Sequence, residues 1–543
     1  MSSPSGHSSN NISLDFDKSD ANACIAFISG LPLTNARLAQ PSLAALLTAL
    51  EATPLQGAAY LDVLEAARVP VHFVQDDLAL RYAAKPLPPT ASEEETFLQV
   101  LQLWQAMERA YAKVATLGAE DPLVQLRMAL ICQRCVYYAG RVLIEYLRAR
   151  REPAPGAWLD LHGYYDTADE WHLADELVQD PLNETQGKAS ASEAYAAVLL
   201  IDLSNPYSRG SREFGWIVRW AERFAPFAKV ELNVGVDTAR AFGVDLMQDQ
   251  GVRPLDILTT RSTVRHFDTA RLNPDMHQLL AQLRENVSPA SLGLGANLER
   301  EPAARLLVQL YRPWCLHAVP RRFQRRDTTG VAQLCLGFEA MHYHVNGDEF
   351  LQPEHVRIYS RGDMDRIWTF RDQLDPTQPL KIRESQINYP LEEWAMADQS
   401  VSGFRLQRRT AGERIEHSQL IALKPNDGGQ FLLAQVSWYL MRNASIEINI
   451  GVYVLPGVPQ GVAIRATGPM VSPSEQYIRA FLLPDLPALK EQGSLLLPRG
   501  WYQPKRIIEV FTDRQITVEL GDLLTQGADF ERVSYRPMTT AAR

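Results

Sequence analysis

The sequence predicts a multidomain α + β protein: a helical, solenoid-like N-terminal region, then a small antiparallel β-barrel, then a C-terminal β-rich module. Three observations carry this expectation. At 543 residues the chain is too long for one hydrophobic core, so several domains are expected. From about residue 35 to about 300, apolar residues recur at helical spacing. Beyond about residue 330 the pattern changes to short β-rich runs bounded by Gly, Pro and Asn-Asp-Gly turns.

Taken in order, residues 1–20 are rich in Ser and Asn and bury little apolar surface, so they read as a disordered tail. Residues 21–300 read as the helical domain. "PSLAALLTALEA" (41–52) has the i, i+3, i+4 apolar spacing, and "SEEETFLQVLQLWQAMERAYAKVATLG" (92–118) opens on Ser and acids and closes on Gly. A long amphipathic helix follows over 121–150, ending in the basic "YLRARRE". The successive helices suggest a stacked array, although no strict period is present. Residues 301–330 read as a last helix and a linker with an arginine cluster. Residues 331–470 read as the barrel, beginning with "VAQLCLGFEAMHYHV" as a strand and carrying an insertion at 347–393 that is rich in Pro and charge. Residues 471–543 form the C-terminal β-rich module, which reads as a second small barrel.

Composition narrows the function. Hydrophobic residues make up 46% and charged residues 22%, an ordinary globular balance, and the formal charge is −10. That balance argues against a nucleic-acid binder, so an anionic ligand has to be held by a local basic cluster. The five cysteines are sparse and odd in number, as in reduced thiols. Cys132 and Cys135 form "CQRC" within a helical pattern, with no second pair at zinc spacing, and read as buried structural thiols. No signal-peptide pattern and no apolar run of about 18 residues is present, so no membrane insertion and a cytoplasmic location are expected.

Chemistry concentrates in two short stretches. "RRFQRR" contains Arg321, Arg322, Arg325 and Arg326, an R-x-x-x-R spacing in two registers. Guanidinium groups match phosphate oxygens and the guanine O6/N7 edge, and stack on purines. The bland reading of this cluster is a solvated basic linker. "DQSVSG" places Asp398, Ser400 and Gly403 ahead of the apolar "FRL". A carboxylate accepts from guanine N1–H and N2–H, a hydroxyl can bind phosphate, and glycine admits a close approach to the strand; the same residues also populate ordinary hairpins. "EAMHYHV" places His342 and His344 on one face of the expected strand, without a third ligand at metal spacing. No phosphate-loop, H-E-x-x-H or G-x-S-x-G pattern is present, and no enzyme activity is expected.

Together, R-x-x-x-R followed by D-x-S-x-x-G and a β-rich tract resembles the PilZ domain, the bacterial receptor module for cyclic di-GMP. "LLAQVSWYLMRNASIEINIGVYVL" also resembles that barrel's later hairpin. The likeness covers roughly residues 317–467. It implies a PilZ-like six-stranded antiparallel β-barrel with cyclic di-GMP as ligand and no other cofactor. It assigns Arg322 and Arg326 to the arginine pair, with Arg321 and Arg325 as the alternative register, and Asp398, Ser400 and Gly403 to the second motif. The gap between the motifs is longer than the family's, because it holds the insertion 347–393. The resulting expectation is a cyclic di-GMP effector whose helical domain engages an unidentified protein partner. The alternative is a scaffold or chaperone-like interaction protein with a degenerate barrel that binds no nucleotide.

Overall fold

The computed structural model describes residues 16–232, 241–259, 262–316, 326–353, 389–400, 402–442, 446–467 and 476–538. The expected tail lies almost wholly outside these residues, as does most of the insertion 347–393. The chain divides into two compact units between residues 321 and 322, each described by itself.

The first unit opens with four helices, α1 (Ala21–Ser29), α2 (Ala36–Ala52), α3 (Gly57–Ala79) and α4 (Ala91–Leu117). The short α5 (Pro122–Gln125), then α6 (Met128–Arg148) and α7 (Ala157–Glu170) follow. A small hairpin of β1 (Val178–Gln179) and β2 (Lys188–Ala189) leads to α8 (Ala191–Leu203) and α9 (Ser211–Phe224). Helices α2, α4, α6 and α8 touch in series, as stacked helix pairs do. Helix α4 starts where Thr90 and Glu93 cap each other reciprocally, slightly ahead of the Ser92 start that the sequence suggests.

Helix α6 is buried on opposite faces because its apolar residues form two stripes. Ile131, Cys135, Tyr138, Val142 and Tyr146 enter a core shared with α2, α3 and α4. Cys132, Val136, Ala139, Leu143 and Leu147 enter a second core shared with α7, α8 and α9. The two thiols therefore face different cores, and burial pushes Cys132 up to about 11. Among the described residues no cluster of His, Cys, Asp and Glu is arranged to hold a metal.

Charge ties the same helices together. Arg68, 1% exposed, donates to Asp180 at 2.7 Å, and its guanidinium lies 4.9 Å from the Tyr137 ring centre. The wholly buried Arg134 donates to both carboxylate oxygens of Glu65 at 2.9 Å and stands 3.2 Å from Asp180. These contacts clasp α3 and α6 to the turn after β1.

Within the region expected to be helical, the chain instead forms a four-stranded antiparallel sheet in the order β3-β6-β4-β5. Its strands are β3 (Lys229–Leu232), β4 (Phe242–Asp245), β5 (Arg253–Pro254) and β6 (Val264–Asp268). Helices α10 (Leu272–Arg284) and α11 (Arg300–Cys315) close the unit.

The second unit is two closed six-stranded antiparallel barrels in tandem. The first contains β7 (Arg326–Leu336), β8 (Glu392–Ser400), β9 (Gly403–Arg408), β10 (Leu420–Pro425), β11 (Leu432–Arg442) and β12 (Glu447–Val454). Its ring order is β10-β11-β12-β9-β8-β7. Arg408 stacks 4.7 Å over the buried Trp394 and pairs with Glu392. The second barrel contains β13 (Gln460–Ala466), β14 (Ile478–Leu483), β15 (Ser494–Pro498), β16 (Ile507–Phe511), β17 (Gln515–Gln526) and β18 (Phe530–Pro537).

The strand expected over "VAQLCLGFEAMHYHV" stops at Leu336. Gly337 turns the chain at φ 79°, and residues Phe338–Asn346 form α12, which ends on the left-handed Gly347. Phe338, Met341, His342 and Val345 have helical spacing, and this face packs against both barrels. His342 and His344 therefore lie on a helix, not side by side on a strand. His342 is 4% exposed between Phe350 and Phe481. Among the described residues, no helix is long and apolar enough to cross a membrane.

Two outcomes test these contacts. Asp180→Ala leaves Arg68 and Arg134 short of a buried counter-charge and should cost about 3 kcal/mol or more in urea unfolding of the helical unit. Burial pushes His342 from 6.5 down to about 4, only partly offset by the Val462 backbone. The unfolded chain therefore takes up a proton that the folded chain resists, and stability should fall as pH drops from about 6.5 to about 4. The loss should total on the order of 3 kcal/mol and be missing from His342→Phe in unfolding curves at stepped pH.

Candidate functional site

The wall formed by β7, β8 and β9 is shaped by a local change of register. On β8, Trp394 and Met396 are buried and pair with Ala332 and Gly330 of β7. Met396 also pairs with Leu406 of β9, whereas the next pair is Asp398 with Arg405, so Ala397 is an extra residue in β8. Simple alternation would send Asp398 into the barrel beside Met396. The bulge places it instead on the outer face, level with Arg405 and with Asp327 of β7.

The hairpin after it is held at its base. Ser400 pairs with Gly403, and its Oγ donates to the Gly403 carbonyl at 3.3 Å. The next strand, β12, runs against Gly403: a Cβ there would lie 2.0 Å from the Val452 carbonyl oxygen. Only glycine fits. A similar gap occurs further along the face, where Gly451 pairs with both Arg405 and Trp438. A Cβ on Gly451 would lie 1.9 Å from the Trp438 indole nitrogen, so the ring lies directly over the glycine.

Of the residues singled out from sequence, Arg326, Asp398, Ser400 and Gly403 are described; Arg321, Arg322 and Arg325 lie outside the described residues. Arg326 is exposed, is the first residue of β7 and pairs with Gln399, next in sequence to Asp398 but on the opposite face of the ladder. Arg326 and the D-x-S-x-x-G stretch thus lie at one rim of the barrel although the insertion separates them in sequence. Asp398 is half-buried and already engaged in an interaction within the protein.

Arg405 is not among the residues singled out from the sequence. Its Cα lies opposite that of Asp398, and its Nε is buried without a hydrogen-bond partner among the described residues. The signal was present in "DQSVSGFR", but reading it needs the bulge: without the extra residue, Arg405 and Asp398 fall on opposite faces.

Comparison with known families places three models along the chain. Residues 22–234 match the model described as "Cyclic-di-GMP receptor FimW, N-terminal domain". Residues 244–357 match the "middle PilZ domain" of the same receptor, and residues 462–538 match the "FimW C-terminal beta-barrel domain". The PilZ match begins in the four-stranded sheet and includes β7 and α12; strands β8 to β12 lie beyond its end. A curated relative, the cyclic-di-GMP receptor FimW of Pseudomonas aeruginosa, is 23% identical over 403 residues. The match spans 66% of this chain and 64% of the relative.

Gly403→Ala should destabilise the first barrel by about 2 kcal/mol or more, because the methyl group displaces the β12 backbone. The shift in urea midpoint relative to an exposed control, Gly429→Ala, measures it.

Proposed function

We propose that this chain, which belongs to the FimW family and carries its three domains in order, is a cyclic di-GMP receptor that holds its ligand on the outer wall of the first barrel. The observation that carries this reading is that β7 begins at Arg326 beside the Asp398–Ser400 stretch of β8, at the rim of that wall. Guanidinium groups of the R-x-x-x-R segment, Arg322 with Arg326 or Arg321 with Arg325, grip phosphate and stack on guanine. The Asp398 carboxylate accepts from the guanine N1–H and N2–H, the Ser400 hydroxyl binds a neighbouring acceptor or phosphate oxygen, and Gly403 keeps the strand low beneath the base. Binding makes and breaks no bond. The function is that of an effector: a ligand that contacts the arginine segment in one arrangement more than in another shifts the population toward it. The arginine run includes the division between the two units, so order imposed there is passed to the connecting segment, and the helical unit then engages or releases a protein partner. The cytoplasmic location expected from the sequence is part of this reading.

Calorimetric titration of the full chain with cyclic di-GMP tests it. Binding should be measurable, and Arg322→Ala combined with Arg326→Ala should weaken it by about 1.5–3 kcal/mol per lost contact. Absence of heat from folded protein, or unchanged affinity in the double variant and in Asp398→Ala, would sink the receptor reading in favour of a scaffold with a degenerate barrel.

A further inference from the structure

Arg405 stands on the same face as Asp398, on the adjacent strand, at a position fixed by the β8 bulge. Paired strands are about 5 Å apart, so the carboxylate and the guanidinium stem rise from the wall as near neighbours. On the other side of Arg405 the face drops to Gly451, over which the Trp438 indole lies. The Arg405 backbone position thus lies between that of Asp398 and that of Gly451, the glycine over which the Trp438 ring lies. The buried Nε of Arg405 has no acceptor among the described residues, a cost that a ligand acceptor can relieve. Arg408, three residues on, also has a buried Nε without a partner, but its terminal nitrogens are held by Glu392 and the Glu413 carbonyl and its guanidinium stacks on Trp394.

We infer that Arg405 is a specificity-determining ligand contact that selects guanine over adenine, a role that rests on the receptor reading above. Guanine offers donors on its Watson–Crick edge, N1–H and N2–H, and acceptors O6 and N7 along the adjoining edge. A carboxylate beside an arginine is complementary to that sequence of groups: Asp398 accepts from the donor edge, and Arg405 donates to O6 and N7. Adenine places an N–H donor where O6 stands and an acceptor at N1, so both side chains face groups of their own polarity. The linker arginines can satisfy phosphate and stacking with either purine. Arg405 is held by the barrel itself, which is what discrimination between bases requires.

The test titrates the folded full chain with cyclic di-GMP and with cyclic di-AMP, comparing wild type with Arg405→Met, Arg405→Lys and Asp398→Ala. The ratio of the two affinities is the readout, because partial unfolding of a variant lowers active protein equally for both ligands. Arg405→Met should weaken cyclic di-GMP by about tenfold or more and leave the weak cyclic di-AMP binding almost unchanged. Arg405→Lys, which keeps charge without the planar fork, should recover only part of the discrimination. An unchanged ratio in Arg405→Met would overturn the inference while leaving the receptor reading intact, and so would equal loss of both ligands, which marks a phosphate contact. Wild-type protein that binds neither nucleotide would overturn both.

Discussion

The extra residue at Ala397 is the constraint on which the candidate site depends. A six-stranded barrel of this size has an interior filled by side chains, and Trp394, Met396, Leu406 and Ile450 fill it here. A carboxylate following the same alternation would enter that interior and lose its hydration without compensation. The bulge reverses the sense of β8 at its last turn, so one strand supplies core residues at one end and polar residues to the outer wall at the other. Gly403 is the second half of this device: the hairpin closes so tightly on β12 that no side chain fits, and the chain returns with Arg405 level with Asp398.

Among the described residues, the second barrel packs on another side of the first. In the ring order, β10 lies opposite β9. Strand β10 is buried along nearly its whole length: Ile421 and Leu423 alternate with Leu420 and Ala422, and the latter pair enters a core shared with Phe481, Leu496 and Phe530 of the second barrel. Asp529 adds a bond to the Leu420 backbone. The second barrel therefore covers the back of the first, away from the β8–β9 face. The apolar run "LIAL" follows from this, since a strand covered on both sides has no polar alternation to show.

Legibility of the sequence tracked how local the determining physics is. Strand-rich and helix-rich halves were readable because amphipathic spacing is a property of each segment. The helix over Phe338–Asn346 was misread as strand because the apolar residues before and after Gly337 form a continuous run, and only the positive φ at that glycine separates them. The four-stranded sheet after α9 was missed since its strands are two to five residues long and carry too little pattern to oppose the helical trend around them. The basic stretch at the end of α6 shows its charge in the sequence but not its partners: Arg150 donates to the Pro206 carbonyl and Arg151 pairs with Glu94 over the Phe97 ring. Those partners are far away in sequence, and no local rule reveals them.

The site shows the same division. Asp398, Ser400 and Gly403 could be singled out as candidates because their chemistry and spacing are contained in six residues. That Arg326 stands beside them depends on β7 pairing with β8 across the insertion, a nonlocal fact settled by the ladder from Asp327 and Asp398 down to Leu334 and Glu392. Arg405 was the least legible, although only seven residues from Asp398. Its relevance depends on which face it occupies, and a single inserted residue decides that. Motif spacing alone therefore underdetermines a β-wall site: identities in the motif name the chemistry, and the register of the ladder decides which neighbours join it.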